Sequence, residues 1–273
     1  MNNYVKINIH STKESEHEIL IALMSEEGFD AFEETDHELH AFIAEKEFDE
    51  VKLKLLLLPF SKTYVKEIIA PKNWNAEWEA NYEPVIVDEF VGIRAHFHRP
   101  ISNVEYEIVI TPKMSFGTGH HATTWQMMKL MQDIDFNNQS VFDFGCGTAV
   151  LAILAEKLGA KSVLAMDYDE LCIENAFENI ETNSCSKIKI ERGAAPPNNQ
   201  TFNIILANIN RHILLSNMQL MAGALAEKGY LLISGFYTED NQMLIHSANM
   251  YDMQLIKVSE RHQWSAMVFQ KLS

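Results

Sequence analysis

The sequence predicts an α/β protein in two parts: a doubly wound, mostly parallel sheet preceded by a small α+β domain. Three observations carry this. Short apolar strands alternate with helical stretches from residue 106 onward, the pattern of strands buried on both faces by crossover helices. One strand runs into a glycine-rich turn that opens a helix, at 141–151. Residues 1–70 alternate strand and helix periods in the order β-α-β-β-α-β, the ferredoxin-like split motif.

In the first part, apolar residues fall on every second position at Val5, Ile7 and Ile9, a strand. Ile19, Leu20, Leu23 and Met24 recur at helical spacing, with Gly28 placed as a C-cap. Residues 29–44 alternate around Thr35-Asp36-His37, a hairpin. Phe48, Val51, Leu55 and Leu58 predict a second helical face, stopped at Pro59, and 64–69 a last strand. Residues 71–90 read as a helical linker with an aromatic stripe at Trp74, Trp78 and Tyr82. His96 and His98 are placed on one face of a strand at 91–98, a two-histidine pair without a third ligand, so no metal site is expected.

In the second part, 91–273, strands are expected at 141–144, 163–166, 204–206 and 231–234, with helices at 150–158 and 171–180. The second helix shows Ile173, Ala176, Phe177 and Ile180 as its apolar set. Ligands of such sheets bind at the carboxyl ends of the strands, so the site is expected in the loops that follow them.

Composition narrows the function. The 273 residues carry 22 Lys plus Arg against 38 Asp plus Glu, a net charge of −16. Such a surface repels phosphate backbones, so no direct nucleic-acid partner is expected. Residues 1–70 hold 7 lysines, no arginine and 15 acids, half of the net charge, which suits a basic protein partner. No apolar run approaches the ~20 residues of a membrane span. Three cysteines, Cys146, Cys172 and Cys185, an odd number without close spacing, argue against a disulfide framework and, together with a start that lacks signal-peptide form, fit the cytoplasm.

The chemistry concentrates in Val141-Phe142-Asp143-Phe144-Gly145-Cys146-Gly147-Thr148-Ala149-Val150-Leu151. Glycines permit positive φ and close backbone approach by a ligand. The dinucleotide fingerprint wants a third small residue at 150, where valine stands, and does not include Asp143. Both points favour a nucleoside without a pyrophosphate, S-adenosylmethionine. Asp167, at the end of the next strand and 22 residues after Gly145, suits the two hydroxyls of a ribose.

Two further segments sharpen this. One is Thr111-Pro112-Lys113-Met114-Ser115-Phe116-Gly117-Thr118-Gly119-His120-His121-Ala122-Thr123-Thr124; the other is Leu206-Ala207-Asn208-Ile209. With the glycine turn, the chain resembles the class I S-adenosylmethionine-dependent methyltransferases, and among them the ribosomal protein L-eleven methyltransferases (PrmA family). The resemblance spans nearly the whole chain. It implies a Rossmann-like class I methyltransferase domain with a mostly parallel seven-stranded sheet, and an N-terminal domain that recognises the protein substrate. It also implies transfer of methyl groups from S-adenosyl-L-methionine to lysine side-chain and N-terminal amines of ribosomal protein L-eleven. A monomer is expected.

By the same resemblance, Phe116, Gly117, Thr124, Gly145, Gly147, Asp167 and Asn208 touch the cofactor. Asn208 also stands at the methyl group as the catalytic residue. The segment 116–124 is expected to act as a lid, with Thr123 or Thr124 capping the next helix. The chain departs from the family pattern at His120, Ala122 and Ala149, and at Asn210-Arg211-His212-Ile213 on the substrate rim. Another protein or small-molecule amine as substrate, or a non-catalytic ribosome-assembly factor, remain as alternatives.

Overall fold

The computed structural model describes residues 3–10, 14–35, 37–69, 82–113 and 119–272. The chain divides into two compact units, Met1–Asn81 and Tyr82–Ser273. Expectations for the linker helix with Trp74 and Trp78, for the turn residue Asp36, and for Phe116 and Gly117 lie outside the described residues.

In the first unit β1 (Tyr4–His10), α1 (Glu14–Glu26), β2 (Ala31–Glu34), β3 (Glu38–Ala44), α2 (Glu50–Leu57) and β4 (Tyr64–Ile69) follow one another. The sheet order is β2-β3-β1-β4, all antiparallel, which is the ferredoxin-like arrangement. Val5, Ile7 and Ile9 are fully buried, as a period of two requires when one face is covered. Gly28, at φ +93, ends α1 in the left-handed region.

Helix α2 forms, but turned from the expected face. Val51, Leu55 and Leu58 are 68%, 66% and 74% exposed, while Leu53 and Leu57 are buried against the sheet. The leucine run 55–58 offers an apolar residue in every direction, so periodicity alone cannot choose the inward side. Packing decides it: Leu53 and Leu57, one turn apart, enter the core of the first unit, while Asp49 caps the helix by accepting hydrogen bonds from the backbone N–H of Val51 and Lys52. A 3-10 turn at Leu58–Phe60 holds Pro59 and ends the element.

The second unit begins with β5 (Val85–Val87), β6 (Val91–Ala95) and β7 (Tyr106–Ile110). They form a separate sheet in which β5 and β6 are antiparallel and β6 and β7 parallel. Residues 85–87, expected in the linker, are therefore strand: Val87 is fully buried and its neighbours find partners on β6. The strand expected at 91–98 stops at Ala95, because the His98 ring closes a turn by accepting from the Ala95 N–H at 3.2 Å. His96 and His98 thus share no strand face.

The main sheet has the order β10-β9-β8-β11-β12-β14-β13. Its strands are β8 (Ser140–Phe144), β9 (Ser162–Asp167), β10 (Ile188–Arg192), β11 (Phe202–Asn208), β12 (Leu225–Tyr237), β13 (Met253–Arg261) and β14 (Trp264–Lys271). All pairs are parallel except those of β14, which runs against both neighbours. Helices α3 (Ala122–Met131), α4 (Val150–Lys157) and α5 (Glu170–Thr182) contribute to one core layer, and α6 (Arg211–Ala224) and α7 (Asn241–Asn249) to the other. From β8 the chain steps outward to β9 and β10, then returns to β11 on the other side of β8. That reversal opens a crevice at the carboxyl ends of β8 and β11.

Candidate active site

A cavity of about 1020 Å³ occupies that crevice. Thr124, Gly145, Gly147, Asp167 and Asn208 all line it, so five of the seven expected contacts converge on one space.

The glycine turn forms one wall. The N–H groups of Gly145 and Cys146 both donate to the Met166 carbonyl, at 2.8 and 3.0 Å, which ties the turn to β9. Gly145 has φ +72, and a Cβ there would come within 2.2 Å of Ile209 Cγ2. Ala149, at φ +61, starts α4 without a side-chain cap. The cap comes from Asp143, whose Oδ2 accepts from the Ala152 N–H at 3.1 Å. Asp143 thus serves the helix entry. Burial pushes its pKa up to about 7; the Ala152 bond opposes this and the Asp167 charge adds to it. The Cys146 thiol is also pushed well up, chiefly by burial, so it supplies no thiolate nucleophile at neutral pH.

Asp167 ends β9 with its carboxylate oriented by the backbone. One oxygen accepts from the Gly147 N–H at 2.9 Å and the other from the Asp169 N–H at 3.1 Å. Each oxygen keeps a lone pair for a further donor, the capacity that two vicinal hydroxyls need.

Asn208 ends β11. Its Nδ2 donates to Thr124 Oγ1 at 3.1 Å. Its Oδ1 is buried without a hydrogen-bond partner. A buried amide oxygen left unpaired costs about 1–3 kcal/mol, so this atom retains the capacity to accept a further hydrogen bond. Behind it, Ile209 packs between Gly145 and Gly235.

Helix α3 is capped by neither expected threonine. His121 is the N-cap, accepting at Nδ1 from the Thr123 N–H at 3.3 Å, while Thr124 is taken by Asn208. The helix starts at Ala122, and that moves both threonines inside it. His120 and His121 diverge as adjacent residues should: His120 Nε2 meets the Glu83 carbonyl at 2.8 Å, whereas His121 lines the cavity. The His121 ring stands edge-on to Trp264 with centroids 4.6 Å apart, and burial pulls its pKa down. Asn210 and Ile213, expected on the substrate rim, line the cavity, whereas Trp264, from β14, and Ser216 and Asn217, from α6, are cavity residues that sequence reasoning missed. The helical period of α6 was available as a signal; for Trp264, distant in sequence from every motif, there was none.

The sheet order, the reversal at β8 and the glycine turn beneath an acidic strand end define a class I methyltransferase fold. The model of the family "Ribosomal protein L11 methyltransferase (PrmA)" matches residues 3–272. A ribosomal protein L11 methyltransferase of Phocaeicola vulgatus is 36% identical, with 97% of each chain covered. One from Porphyromonas gingivalis is 39% identical over 94% of this chain and 92% of its own. Among solved structures, a ribosomal protein L11 methylase from Lactobacillus delbrueckii subsp. bulgaricus superimposes with a TM-score of 0.65 at 25% identity, covering 70% of this chain and all of that one. The chain belongs to the PrmA family of methyltransferases.

Proposed function

We propose that the protein transfers methyl groups from S-adenosyl-L-methionine to amines of ribosomal protein L11, at lysine side chains and the N-terminal amine. The observation that carries this is the unpaired, buried Oδ1 of Asn208 on the cavity. When bound, the cofactor supplies a methyl carbon made electrophilic by its sulfonium. The protein's part is positioning and exclusion of water. A lysine amine with a free pKa of ~10.4 is neutral in only about one molecule in 10³ at pH 7. Entry into the cavity lowers that pKa by disfavouring the charged form. Asn208 Oδ1 then accepts an N–H from the neutral amine and aims its lone pair. A neutral amide suits this role, since a carboxylate would hold the ammonium form.

In this reading Asp167 binds the ribose hydroxyls, and Gly145 and Gly147 let the nucleoside lie against the turn. Thr124 holds Asn208 in place beside the cofactor, and Phe116 and Gly117 cover it. Residues 1–70, with a net charge of −8, recognise the basic target, and the chain that follows them leads into the methyltransferase domain, whose first strand is β5 at Val85–Val87. The enzyme acts as a cytoplasmic monomer and does not itself bind nucleic acid. Among the described residues, no helix is long and apolar enough to cross a membrane.

The test is mass spectrometry of L11 after incubation with enzyme and cofactor, beside Asn208→Ala. Mass gains in one-methyl steps, greatly reduced in the variant, are expected; unmodified L11 with the wild type would overturn the proposal. Deleting residues 1–70 should abolish L11 binding, and unchanged methylation would refute that division of labour. Absence of any heat on titration with S-adenosylmethionine would instead favour an assembly factor.

A further inference from the structure

Helix α5 carries asparagine at 175 and 179, and a third, Asn183, is its C-cap. Steps of four place the three side chains in one column on the helix. That column faces β7, whose other edge is paired to β6. Asn183 accepts from the Val109 N–H at 3.0 Å and donates to the Val109 carbonyl at 2.7 Å. Asn179 accepts from the Thr111 N–H at 2.8 Å, and Asn175 donates to the Thr111 carbonyl at 3.1 Å. Side-chain amides therefore give the edge of β7 what a neighbouring strand would give.

Asn179 departs from this pattern in one respect. Its Nδ2 turns away from β7 and donates to the Thr148 carbonyl at 3.0 Å. Thr148 belongs to the glycine turn and lines the cavity. Two residues after Thr111, Lys113 lines the same cavity and pairs with Glu178 of α5. Asn179 is fully buried, so neither bond competes with water. One amide thus joins the glycine turn to the segment that leads to Lys113.

We infer that Asn179 is a positioning residue for cofactor binding, holding these two parts of the cavity wall at a fixed separation through one donor and one acceptor. The inference rests on the reading that the cavity takes S-adenosylmethionine. Asparagine fits because it is neutral, short, and offers both a donor and an acceptor. Leucine keeps the branched shape, with a somewhat larger volume, but leaves the Thr148 carbonyl and the Thr111 N–H unpaired, so the wall shifts and the cofactor meets a less well-fitted site. Asn183 is the internal control: it makes two bonds to β7 and one to the Asn179 backbone carbonyl, at 2.7 Å, and none to the turn.

The experiment uses the full chain. Dissociation constants for S-adenosylmethionine and S-adenosylhomocysteine are measured by calorimetry for the wild type, Asn179→Leu and Asn183→Leu, with KM and kcat on L11. Asn179→Leu, which removes two buried hydrogen bonds, should weaken cofactor binding and raise its KM at least about tenfold, with kcat at saturating cofactor within about twofold. Asn183→Leu should leave the cofactor constants within about twofold while lowering the melting temperature. Should Asn179→Leu not fold, Asn179→Ser, which keeps a hydroxyl but loses reach, gives the same comparison. Equal weakening by the 179 and 183 variants, or unchanged cofactor affinity at 179, would overturn the inference. Absence of binding by the wild type would overturn the reading of the cavity itself, a result the variants cannot produce.

Discussion

Gly235→Ala tests how tightly the backbone behind Asn208 is packed. Gly235 has φ +100, and an added Cβ would lie 2.3 Å from the Ile209 carbonyl oxygen and 2.7 Å from its carbon. Both are backbone atoms, and Ile209 is further held by its N–H bond to the Ser234 carbonyl at 3.1 Å. No rotamer change relieves the contact. The left-handed conformation costs a non-glycine residue about 1–2 kcal/mol, and overpacking adds about 1–3 kcal/mol. The sum, about 2–5 kcal/mol, lowers the melting temperature by roughly 5–20 °C in a domain of this size. Because Ile209 follows Asn208, methylation should fall as well. Gly223→Ala is the matched control: nothing lies within 4 Å of its Cβ position, and it sits inside α6. There the same change should stabilise by about 0.5–1 kcal/mol. Thermal unfolding of both variants, with methyl transfer assayed in parallel, reads the contrast. A Gly235→Ala protein that melts with the wild type and retains full activity would refute the packing argument.

Three other outcomes follow from the same geometry. Asn208→Asp places a charge against the substrate amine; at about 4 Å and an effective dielectric of ~20 this is worth about 4 kcal/mol, or ~3 pK units. Activity at pH 7 should fall at least about 10²-fold, and the rise of kcat/KM with pH should move alkaline; an unshifted profile would remove Asn208 from the amine. Asp143 has a folded pKa of about 7 against 3.8 for the free group, so the folded state holds its proton longer than the unfolded one. Its contribution to stability is fully present below pH 4 and is lost as pH rises through 7; Asp143→Asn should lack that loss in urea melts across this range. Asp49→Ala removes the α2 cap and should cost ~1 kcal/mol locally, read as about fivefold faster amide exchange across α2.

Much of the site was legible in the chain because its residues stand at element ends, where few residue types fit. Gly145 needs its conformation, Asp167 closes a buried strand, and Asn208 does likewise; all three line the cavity. Less legible were elements whose periodicity is weak or shared. Strands β10, β13 and β14 and helices α6 and α7 had no individual assignment. The inward face of α2 was misjudged within its leucine run. In α5, Phe177 belonged to the expected apolar set but is 56% exposed, while Asn175 and Asn179 are fully buried. Polar residues count as solvent-facing in a periodicity argument, and here they are buried because an unpaired strand edge needs them.

By itself the sequence determined the β-α-β-β-α-β order of the first unit, the β/α alternation that leads from β8 to β11, the glycine turn and the carboxylate and amide at the strand ends. Those depend on local φ preferences and on side-chain period. Only the tertiary structure decided which partner each polar group takes. Asp143 became a helix cap, Thr124 the acceptor for Asn208, Trp264 a cavity wall, and Asn179 the link between β7 and the turn. A hydrogen bond depends on distance in space, and these groups are brought together by sheet order rather than by sequence spacing.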